Sequence, residues 1–171
     1  MVFLISLKSK KINFFKKENI FYLILIFIIF LLDRYSKLKI INDFNTNSFF
    51  LNNYINLDLI WNTGIGFGLF STDASIVYNS ITFLVGLIIL ILFFIAFRSK
   101  NLDKFIYSII IGGAIGNFYD RLIYKAVPDF IDLHYNNFHW FVFNIADIFI
   151  SLGIIIMIII EIIEKNQKNI L

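Results

Sequence analysis

Residues 76–97 read IVYNSITFLVGLIILILFFIAF, and this stretch decides the fold class of the 171-residue chain. The run is apolar except at Asn79, Ser80 and Thr82. Because an α-helix rises ~1.5 Å per residue, about 20 apolar residues are enough to cross the ~30 Å hydrocarbon core of a bilayer. The run therefore predicts a membrane-spanning helix.

The composition of the whole chain agrees with this prediction. Hydrophobic residues make up 59% and charged residues 16%, whereas a soluble domain is about 45–50% apolar and about 25% charged. Such apolarity excludes a disordered chain, and the absence of cysteine excludes a disulfide scaffold. The net charge of +3 is too small to suggest nucleic acid as a partner. An integral membrane protein remains.

Three shorter apolar runs each stop beside an aspartate: Ile20–Leu32 before Asp33, Phe105–Tyr119 before Asp120, and Ile148–Ile160 after Asp147. The sequence thus predicts an all-α integral membrane protein, one membrane domain over 1–171, with four transmembrane helices near 18–38, 76–97, 103–121 and 144–164. A cleaved signal peptide is the alternative for the first run, although no A-x-A-like cleavage site follows it.

The distribution of lysine and arginine predicts the orientation, because cytoplasmic loops are enriched in these residues. Ten of the 15 cations fall on one side: Lys8, Lys10, Lys11, Lys16, Lys17, Arg98, Lys100, Lys104, Lys165 and Lys168. Both termini are then cytoplasmic, and the outward loops are roughly 42–75 and 121–143. Eight of the 12 acids lie on the outward side: Asp33, Asp43, Asp58, Asp73, Asp120, Asp129, Asp132 and Asp147. Carboxylate chemistry is therefore expected at the outer face.

The first outward loop has a pattern of its own. Residues 55–59 alternate between apolar and polar, which is the period of a half-buried strand. Residues 61–68 follow with three glycines, which favour a turn. We predict a small extracytoplasmic β/loop element between helices 1 and 2. Aromatic residues suited to a membrane interface are Trp61, Phe67, Phe70 and Trp140.

Helix length makes Asp147 a candidate functional residue. Glu161 lies 14 residues further on, or ~21 Å along a helix, which is less than the bilayer thickness. Since Glu161 precedes Lys165 by four residues, it suits the headgroup region, and Asp147 is then placed in the outer leaflet. An acid there is costly and should face the protein interior or a wet cavity. A helix N-terminal acid favoured by the macrodipole is the simpler alternative.

A second carboxylate can reach Asp147 from the second outward loop. Two carboxyls a few ångströms apart share a proton, so that one acts as a base toward water and the other as an acid. The spacing leaves both Asp129 and Asp132 open as the partner. His134 and His139 are five residues apart, which is poor ligand spacing on a helix face, and we interpret both as surface or interfacial residues of a polar loop.

Two features of the third helix concern its packing. Gly112 and Gly116 form a small-xxx-small pair, which permits close helix approach. Asp120 and Arg121 are interpreted as a structural clamp at the helix end.

Five motifs in order resemble the lipoprotein signal peptidase (signal peptidase II) family, which consists of aspartic proteases of the bacterial inner membrane. They are DRYSK at 33–37, NTGIGFG at 62–68, GGAIGNFYDR at 112–121, VPDF at 127–130 and FNIAD at 143–147. The resemblance implies an endopeptidase that cuts a prolipoprotein before its diacylglyceryl-modified cysteine. It also implies a multi-pass location with the active site at the extracytoplasmic face, prolipoprotein and membrane lipid as partners, a monomer, and no metal or other cofactor.

The resemblance also implies roles for individual residues. The catalytic pair falls on Asp129 and Asp147. The supporting residues are Asp33, Asn62, Asn117, Arg121 and Asn144, of which Asn62 and Arg121 would hold the substrate backbone and Asn117 and Asn144 would orient the aspartates. Asp120 would be a structural partner. The chain departs from the usual family pattern at Arg34, Ile65, Gly66, Lys125 and Pro128, and the departures at Ile65, Lys125 and Pro128 affect the expected shape of the substrate groove.

Two other functions remain as alternatives at this stage. An ion-coupled transporter would use Asp33, Asp120 and Asp147 as a relay through the depth of the membrane. A structural membrane subunit would use its aspartates only to pair with Arg34 and Arg121, and would tolerate the exchange of Asp129 or Asp147 for asparagine.

Overall fold

The computed structural model describes residues 17–43, 49–64, 75–99, 101–136 and 138–170. Most of them are helical, in α1 (Lys17–Asp43), α2 (Ser75–Arg98), α3 (Asn101–Tyr124) and α4 (Ile145–Ile170). The remaining regular structure is a sheet of β1 (Phe49–Asn52), β2 (Ile55–Asn62), β3 (Val127–Tyr135) and β4 (Phe138–Phe143). Residues 65–68 of the predicted turn, with the departures at Ile65 and Gly66, lie outside the described residues, as do the interfacial Phe70 and the outward Asp73.

Three helices within the described ranges are long and apolar enough to cross a membrane: Lys17–Asp43, Ile76–Arg98 and Ile145–Gln167. α3 is also long enough, at 24 residues or ~36 Å, but it is less apolar. The reason is that its buried face carries polar side chains, namely Lys104, Ser108, Asn117, Asp120 and Arg121. Three of the four predicted spans therefore meet the requirements of length and apolarity. The remaining one, α3, meets the length requirement, and its polar side chains lie on the face that is buried in the protein.

α3 packs against each of the other three helices, and its glycines allow the close approach that the sequence predicts. A Cβ added at Gly112 would lie 2.8 Å from the Ile29 Cβ of α1, which is too short for any side chain. A Cβ at Gly113 would lie 2.5 Å from the Ala146 carbonyl oxygen at the start of α4. The glycines of α3 thus bring its backbone against α1 on one side and α4 on the other.

The sheet is larger than the sequence predicts. Its order is β1-β2-β3-β4 with all neighbours antiparallel, so the strand predicted at 55–59 belongs to a four-stranded sheet. The prediction that 121–143 is a loop, and that β structure is confined to the segment between helices 1 and 2, is wrong. β3 is buried along most of its length, including polar positions, so it lacks the alternation that marks a half-buried strand.

The β3–β4 hairpin also changes the interpretation of the two histidines. His134 and His139 are directly opposed across the hairpin. His134 is 7% exposed, so its expected surface position is wrong, whereas His139 is exposed. A spacing of five residues separates side chains on a helix but brings them together across a hairpin, because the chain reverses between them.

Two departures from the family pattern have simple backbone settings. Lys125 lies between α3 and β3 with a φ of 56°, in the left-handed region that favours glycine. Pro128 pairs with Trp61 of β2, but β4 begins to pair with β3 only at Ile131. At Pro128, β3 therefore has a neighbouring strand only on the β2 side. Proline, which has no N–H group to donate, is tolerated at such an edge position.

Candidate active site

Asp129 is fixed by two asparagines that reach it from different elements. Its Oδ2 accepts a hydrogen bond of 2.8 Å from Asn62 Nδ2, and its Oδ1 accepts one of 2.6 Å from Asn144 Nδ2. Asn62 is opposite Val127 in the β2–β3 register, so its side chain reaches Asp129 diagonally across the two strands. The residue is 2% exposed. Both carboxyl oxygens of Asp129 are therefore held in place inside the protein.

Asp147 and Asn144 cap the start of α4 reciprocally. The Asn144 Oδ1 accepts from the Asp147 backbone N–H at 3.1 Å, and the Asp147 Oδ2 accepts from the Asn144 backbone N–H at 3.2 Å. This is the geometry of a capping box, in which the N-cap and the third helical residue satisfy each other's free N–H groups. The Asp147 side chain is thereby fixed relative to the first turn of α4.

One residue therefore contacts both carboxylates. The Asn144 side-chain N–H group binds Asp129, while its backbone N–H binds Asp147. From the other side, Asn117 Nδ2 of α3 donates to Asp147 Oδ1 at 2.8 Å. The two carboxylates, one on β3 and one on α4, are thus connected through a single asparagine and oriented by two more.

Burial dominates the electrostatics of Asp129, which lies on the sheet. Loss of solvation and, second, the negative charge of Asp147 raise the pKa of Asp129 to about 7, against the opposing effect of the hydrogen bonds from Asn62 and Asn144. A carboxyl with this pKa is about half protonated at pH 7 and mostly protonated below it. It has the protonation required of the acid in a carboxyl pair.

A buried lysine contacts Asp147 indirectly, through Asn117. Lys37 of α1 is fully buried, and its Nζ donates to Asp33 Oδ2 at 2.8 Å, to Asn117 Oδ1 at 2.8 Å and to Asp120 Oδ2 at 2.7 Å. The bond to Asn117 fixes which end of that amide faces Asp147. In the sequence analysis Lys37 is one of the outward cations and the last residue of the DRYSK motif, but no role is predicted for it. Its position four residues after an aspartate, on a predicted spanning helix, is the signal that could have identified it.

Asp33 and Asp120 complete this inner layer. Asp33 Oδ1 accepts from the Ala146 backbone N–H at 3.0 Å, so α1 helps to cap α4. Asp120 forms ion pairs with Lys37 and Arg34, rather than a clamp with its neighbour Arg121. The Arg34 guanidinium also lies 4.8 Å from the ring centroid of Tyr119. Asp33 and Asp120 are thus both paired with cations of α1. They do not form the relay of unpaired carboxyls that the transporter alternative requires.

Arg121 connects the helices to the first outward segment. Its Nη2 donates to the Gly64 carbonyl oxygen at 2.8 Å, and its Nη1 donates to the Asn117 carbonyl oxygen at 3.3 Å. The Gly64 N–H in turn donates to Asn62 Oδ1 at 2.9 Å. Arg121 thus fixes the end of β2 from which Asn62 reaches Asp129.

The family model described as Signal peptidase (SPase) II matches residues 25–163 of this chain. The chain belongs to the signal peptidase II family. The resemblance drawn from the five motifs is therefore confirmed.

Individual members agree with signal peptidase II membership, and a solved bacterial membrane enzyme has a similar fold. The lipoprotein signal peptidase of Pelagibacter ubique (strain HTCC1062) is 49% identical over 150 residues, covering 86% of this chain and 90% of that protein. The lipoprotein signal peptidase of Anaplasma phagocytophilum (strain HZ) is 36% identical over 157 residues, covering 90% and 99%. A bacterial membrane enzyme solved by the in meso method at 2.3 Å superposes with a TM-score of 0.73 at 27% identity, covering 86% of this chain and 90% of that one.

The structure joins all of the site residues that the signal peptidase II resemblance implies. They form one hydrogen-bonded network that contains Asp33, Asn62, Asn117, Arg121, Asp129, Asn144 and Asp147, completed by Lys37 and backbone groups. Asn62 was expected to hold the substrate backbone, and here its amide is engaged with Asp129 and Gly64. Asp132 does not join this network. Its carboxylate contacts His139.

Proposed function

We propose that this chain is a membrane aspartic endopeptidase that removes the signal peptide from diacylglyceryl-modified prolipoproteins, cutting before the lipidated cysteine. The observation that carries the proposal is the bridge through Asn144, which binds Asp129 and Asp147 at once. Two carboxylates connected in this way can supply the base that activates water and the acid that protonates the amide carbonyl.

The local environments favour different roles for the two carboxyls. Asp147 lies at the third position of α4, where the helix macrodipole favours a negative charge. Asp129 is a buried strand residue whose pKa is raised to about 7. We therefore assign the shared proton to Asp129 and the role of base to Asp147.

In the reaction, Asp147 accepts a proton from water as the water oxygen attacks the scissile carbonyl carbon. Asp129 donates its proton to the carbonyl oxygen in the same step. Collapse of the tetrahedral diol then breaks the C–N bond, and the amine leaves with a proton from the pair. Asn117 and Asn144 keep the carboxylates oriented throughout, and Asn62 keeps Asp129 oriented while Arg121 and the end of β2 face the substrate backbone.

We place the protein in the bacterial inner membrane as a single four-span domain, with α3 as the fourth spanning helix and both termini in the cytoplasm. Three of the five cations assigned to the outer side, Arg34, Lys37 and Arg121, are buried and bonded within the protein. They therefore do not oppose the positive-inside rule, and the bias toward cytoplasmic termini becomes stronger. The polar network then lies near the outer boundary, which is where the cleavage site of a lipid-anchored substrate lies.

The substrate can reach this site from the lipid phase. The surfaces of α1, α2 and α4 carry large exposed apolar side chains, including Phe27, Leu90 and Ile155. An apolar signal helix and the acyl chains of a diacylglyceryl cysteine can approach such a surface laterally, without passing through water. A monomer of this size is sufficient for that approach.

The test is cleavage of a diacylated prolipoprotein by the purified full chain in detergent or lipid. Asp129→Asn and Asp147→Asn should each reduce turnover by at least about 10³-fold, because each removes one of the two proton-transfer partners. Asp132→Asn is the matched control, since Asp132 is a buried carboxyl on the same strand as Asp129. It should retain most of the turnover. Near-normal cleavage by either variant of the pair would overturn the assignment of Asp129 and Asp147 as the catalytic pair, and a wild type that does not cleave would support the structural-subunit alternative.

A further inference from the structure

A second polar cluster lies on the β3–β4 hairpin, apart from the peptidase pair. Asp132 and His134 are two residues apart on β3 and so share one face of the sheet, and His139 of β4 is directly opposite His134. The His139 Nδ1 is 2.7 Å from Asp132 Oδ2, and the His134 Nδ1 is 3.7 Å from the same oxygen. The two imidazole rings are stacked, with centroids 5.4 Å apart. We call these three residues the hairpin cluster.

The hairpin cluster contains buried polar atoms with unused bonding capacity. Among the described residues, five buried side-chain nitrogen or oxygen atoms have no hydrogen-bond partner, and Asp132 Oδ1 and His134 Nδ1 are two of them. A third, Asn56 Oδ1, belongs to the residue paired with Asp132 across β2 and β3. Buried polar groups are almost always bonded, and a buried polar atom without a partner destabilises the folded state. Three such atoms concentrated at one place indicate a polar ligand.

A simple Asp–His pair does not account for this arrangement. A hydrogen bond between His139 and Asp132 uses one carboxylate oxygen. It leaves the second oxygen of Asp132 and the buried ring nitrogen of His134, which is 7% exposed, without a partner among the described residues. A structural hairpin has no need of a second imidazole buried against the first.

We propose that Asp132, His134 and His139 bind a divalent first-row transition-metal ion, for which Zn²⁺ is the representative. One ligand atom from each residue lies within 4.8 Å of the other two, while donors around a tetrahedral zinc are roughly 3.4 Å apart. Small side-chain rotations are enough to close that difference. Two imidazoles and one carboxylate form a ligand set that suits zinc, and an exposed His139 leaves a position open to water.

The ion at the hairpin cluster is structural and does not take part in peptide hydrolysis. Side chains alternate along a strand, so Asp132, three residues after Asp129, points away from the face on which Asp129 meets Asn62. Binding at the hairpin cluster ties β3 to β4. It thereby steadies the strand that carries Asp129, and its effect is on stability.

The composition of the chain limits the number of other side chains that could bind zinc in the test. The sequence contains two histidines and no cysteine, so nitrogen or sulfur ligation of zinc must use His134 or His139. The full chain is purified with an affinity tag that lacks histidine, stripped with a chelator, and titrated with Zn²⁺ by calorimetry and with Co²⁺ by visible absorption. Asp58→Asn, which removes an exposed carboxyl of β2, is the matched control.

We expect one ion per chain in the wild type and in Asp58→Asn, with a higher thermal unfolding midpoint when Zn²⁺ is present. His139→Ala removes an exposed side chain, so the variant should fold, and it should bind Zn²⁺ at least about 100-fold more weakly, since even the loss of an outer-shell partner costs 10–100-fold. Asp132→Asn should show the same loss. Equal Zn²⁺ affinity in the wild type and His139→Ala would overturn the proposal, as would an unfolding midpoint that zinc leaves unchanged. Peptidase turnover of metal-free His139→Ala is measured separately, so a failure here leaves the peptidase proposal standing.

Discussion

Replacing Asp129 with asparagine is expected to stabilise the protein increasingly as the pH rises from about 4 to about 7. Burial and the neighbouring charge of Asp147 raise the pKa of Asp129 to about 7 in the folded protein, whereas an unfolded aspartate titrates near 3.9. Between these values the folded state holds a proton that the unfolded state has released. The contribution of this proton to stability is complete below about pH 4 and is lost as the pH passes through about 7.

The magnitude follows from the difference between the two pKa values. About three pH units at ~1.36 kcal/mol each correspond to at most about 4 kcal/mol of unfolding free energy. No large discount for solvent screening applies, because Asp129 is 2% exposed. The amide of Asp129→Asn has the shape of the protonated acid, retains an acceptor oxygen for one of its two asparagine neighbours, and does not ionise in this range. The variant should therefore lack the part of the pH dependence that Asp129 contributes.

The measurement is denaturant unfolding of the detergent-solubilised chain at intervals between pH 4 and pH 8. The difference between Asp129→Asn and the wild type should grow by up to about 4 kcal/mol over this interval, and the titrating groups that do not interact with Asp129 cancel in the subtraction. Asp58→Asn, at an exposed site, supplies the baseline for a lost carboxyl. A difference that changes by less than about 1 kcal/mol would refute the reasoning, since Asp129 would then ionise without cost.

The same titration should limit catalysis on the alkaline side. If Asp129 holds the shared proton, kcat falls about tenfold per pH unit well above pH 7, as the acid of the pair is lost. The midpoint belongs to the pair as a whole rather than to one carboxyl. A turnover that stays constant from pH 6 to pH 9 would contradict the assignment of Asp129 as the acid.

Three further substitutions test the layers around the pair. Lys37→Met should cost about 3–5 kcal/mol in denaturant unfolding, because it leaves buried carboxylates without their cation, and Asp33→Asn in the same chain should recover part of that loss. Asn144→Ala should lower kcat more than it raises KM in the cleavage assay, and should cost about 1–2 kcal/mol of stability, since the cap of α4 is lost with the bond to Asp129. Lys125→Gly should raise the unfolding free energy by about 0.5 kcal/mol, because glycine relieves the left-handed backbone at a modest entropic cost.

Each of these has a control within the chain. Lys39→Met removes an exposed cation of α1 and should lower the unfolding free energy by under about 0.5 kcal/mol. If Lys37→Met lowered the unfolding free energy by no more than Lys39→Met does, the role of the buried lysine would be contradicted. Asn144→Asp keeps the cap oxygen but places a charge beside the pair, and turnover close to normal in that variant would argue against the bridge. Asn136 also has a positive φ, but asparagine tolerates it, so Asn136→Gly should not stabilise. Equal gains at both sites would contradict the strain argument at Lys125.

The sequence is sufficient to predict the features that depend on one helix at a time. A 22-residue run that is apolar at all but three positions predicts α2. The 14-residue distance from Asp147 to Glu161 predicts that Asp147 lies in the outer leaflet, where an acid is costly unless it faces the protein interior or a wet cavity. Gly112 and Gly116 predict a close helix contact, which the structure shows against Ile29. In each case the residues of a single helix are enough to make the prediction.

The features that the sequence does not reveal depend on two elements at once. β3 is buried on both faces, so its polar residues have no periodic pattern from which a strand is recognised. The spacing of His134 and His139 means nothing until the chain is known to reverse between them. Lys37 counts as an outward cation because a lysine is ordinarily solvated, and only the arrival of Asp120 and Asn117 from α3 explains its burial.

The choice between Asp129 and Asp132 shows where this boundary lies. On spacing alone both residues can reach Asp147, because both follow the same helix by a few residues. The strand alternation that separates them becomes visible only when β3 is seen to pair with β2 and β4. One face then directs Asp129 to Asn62 and Asn144, and the other directs Asp132 to the histidines. Since Asn144 and Asp147 also form the capping box that begins α4, the start of a helix and the pairing of the carboxylates are produced by the same four residues of sequence.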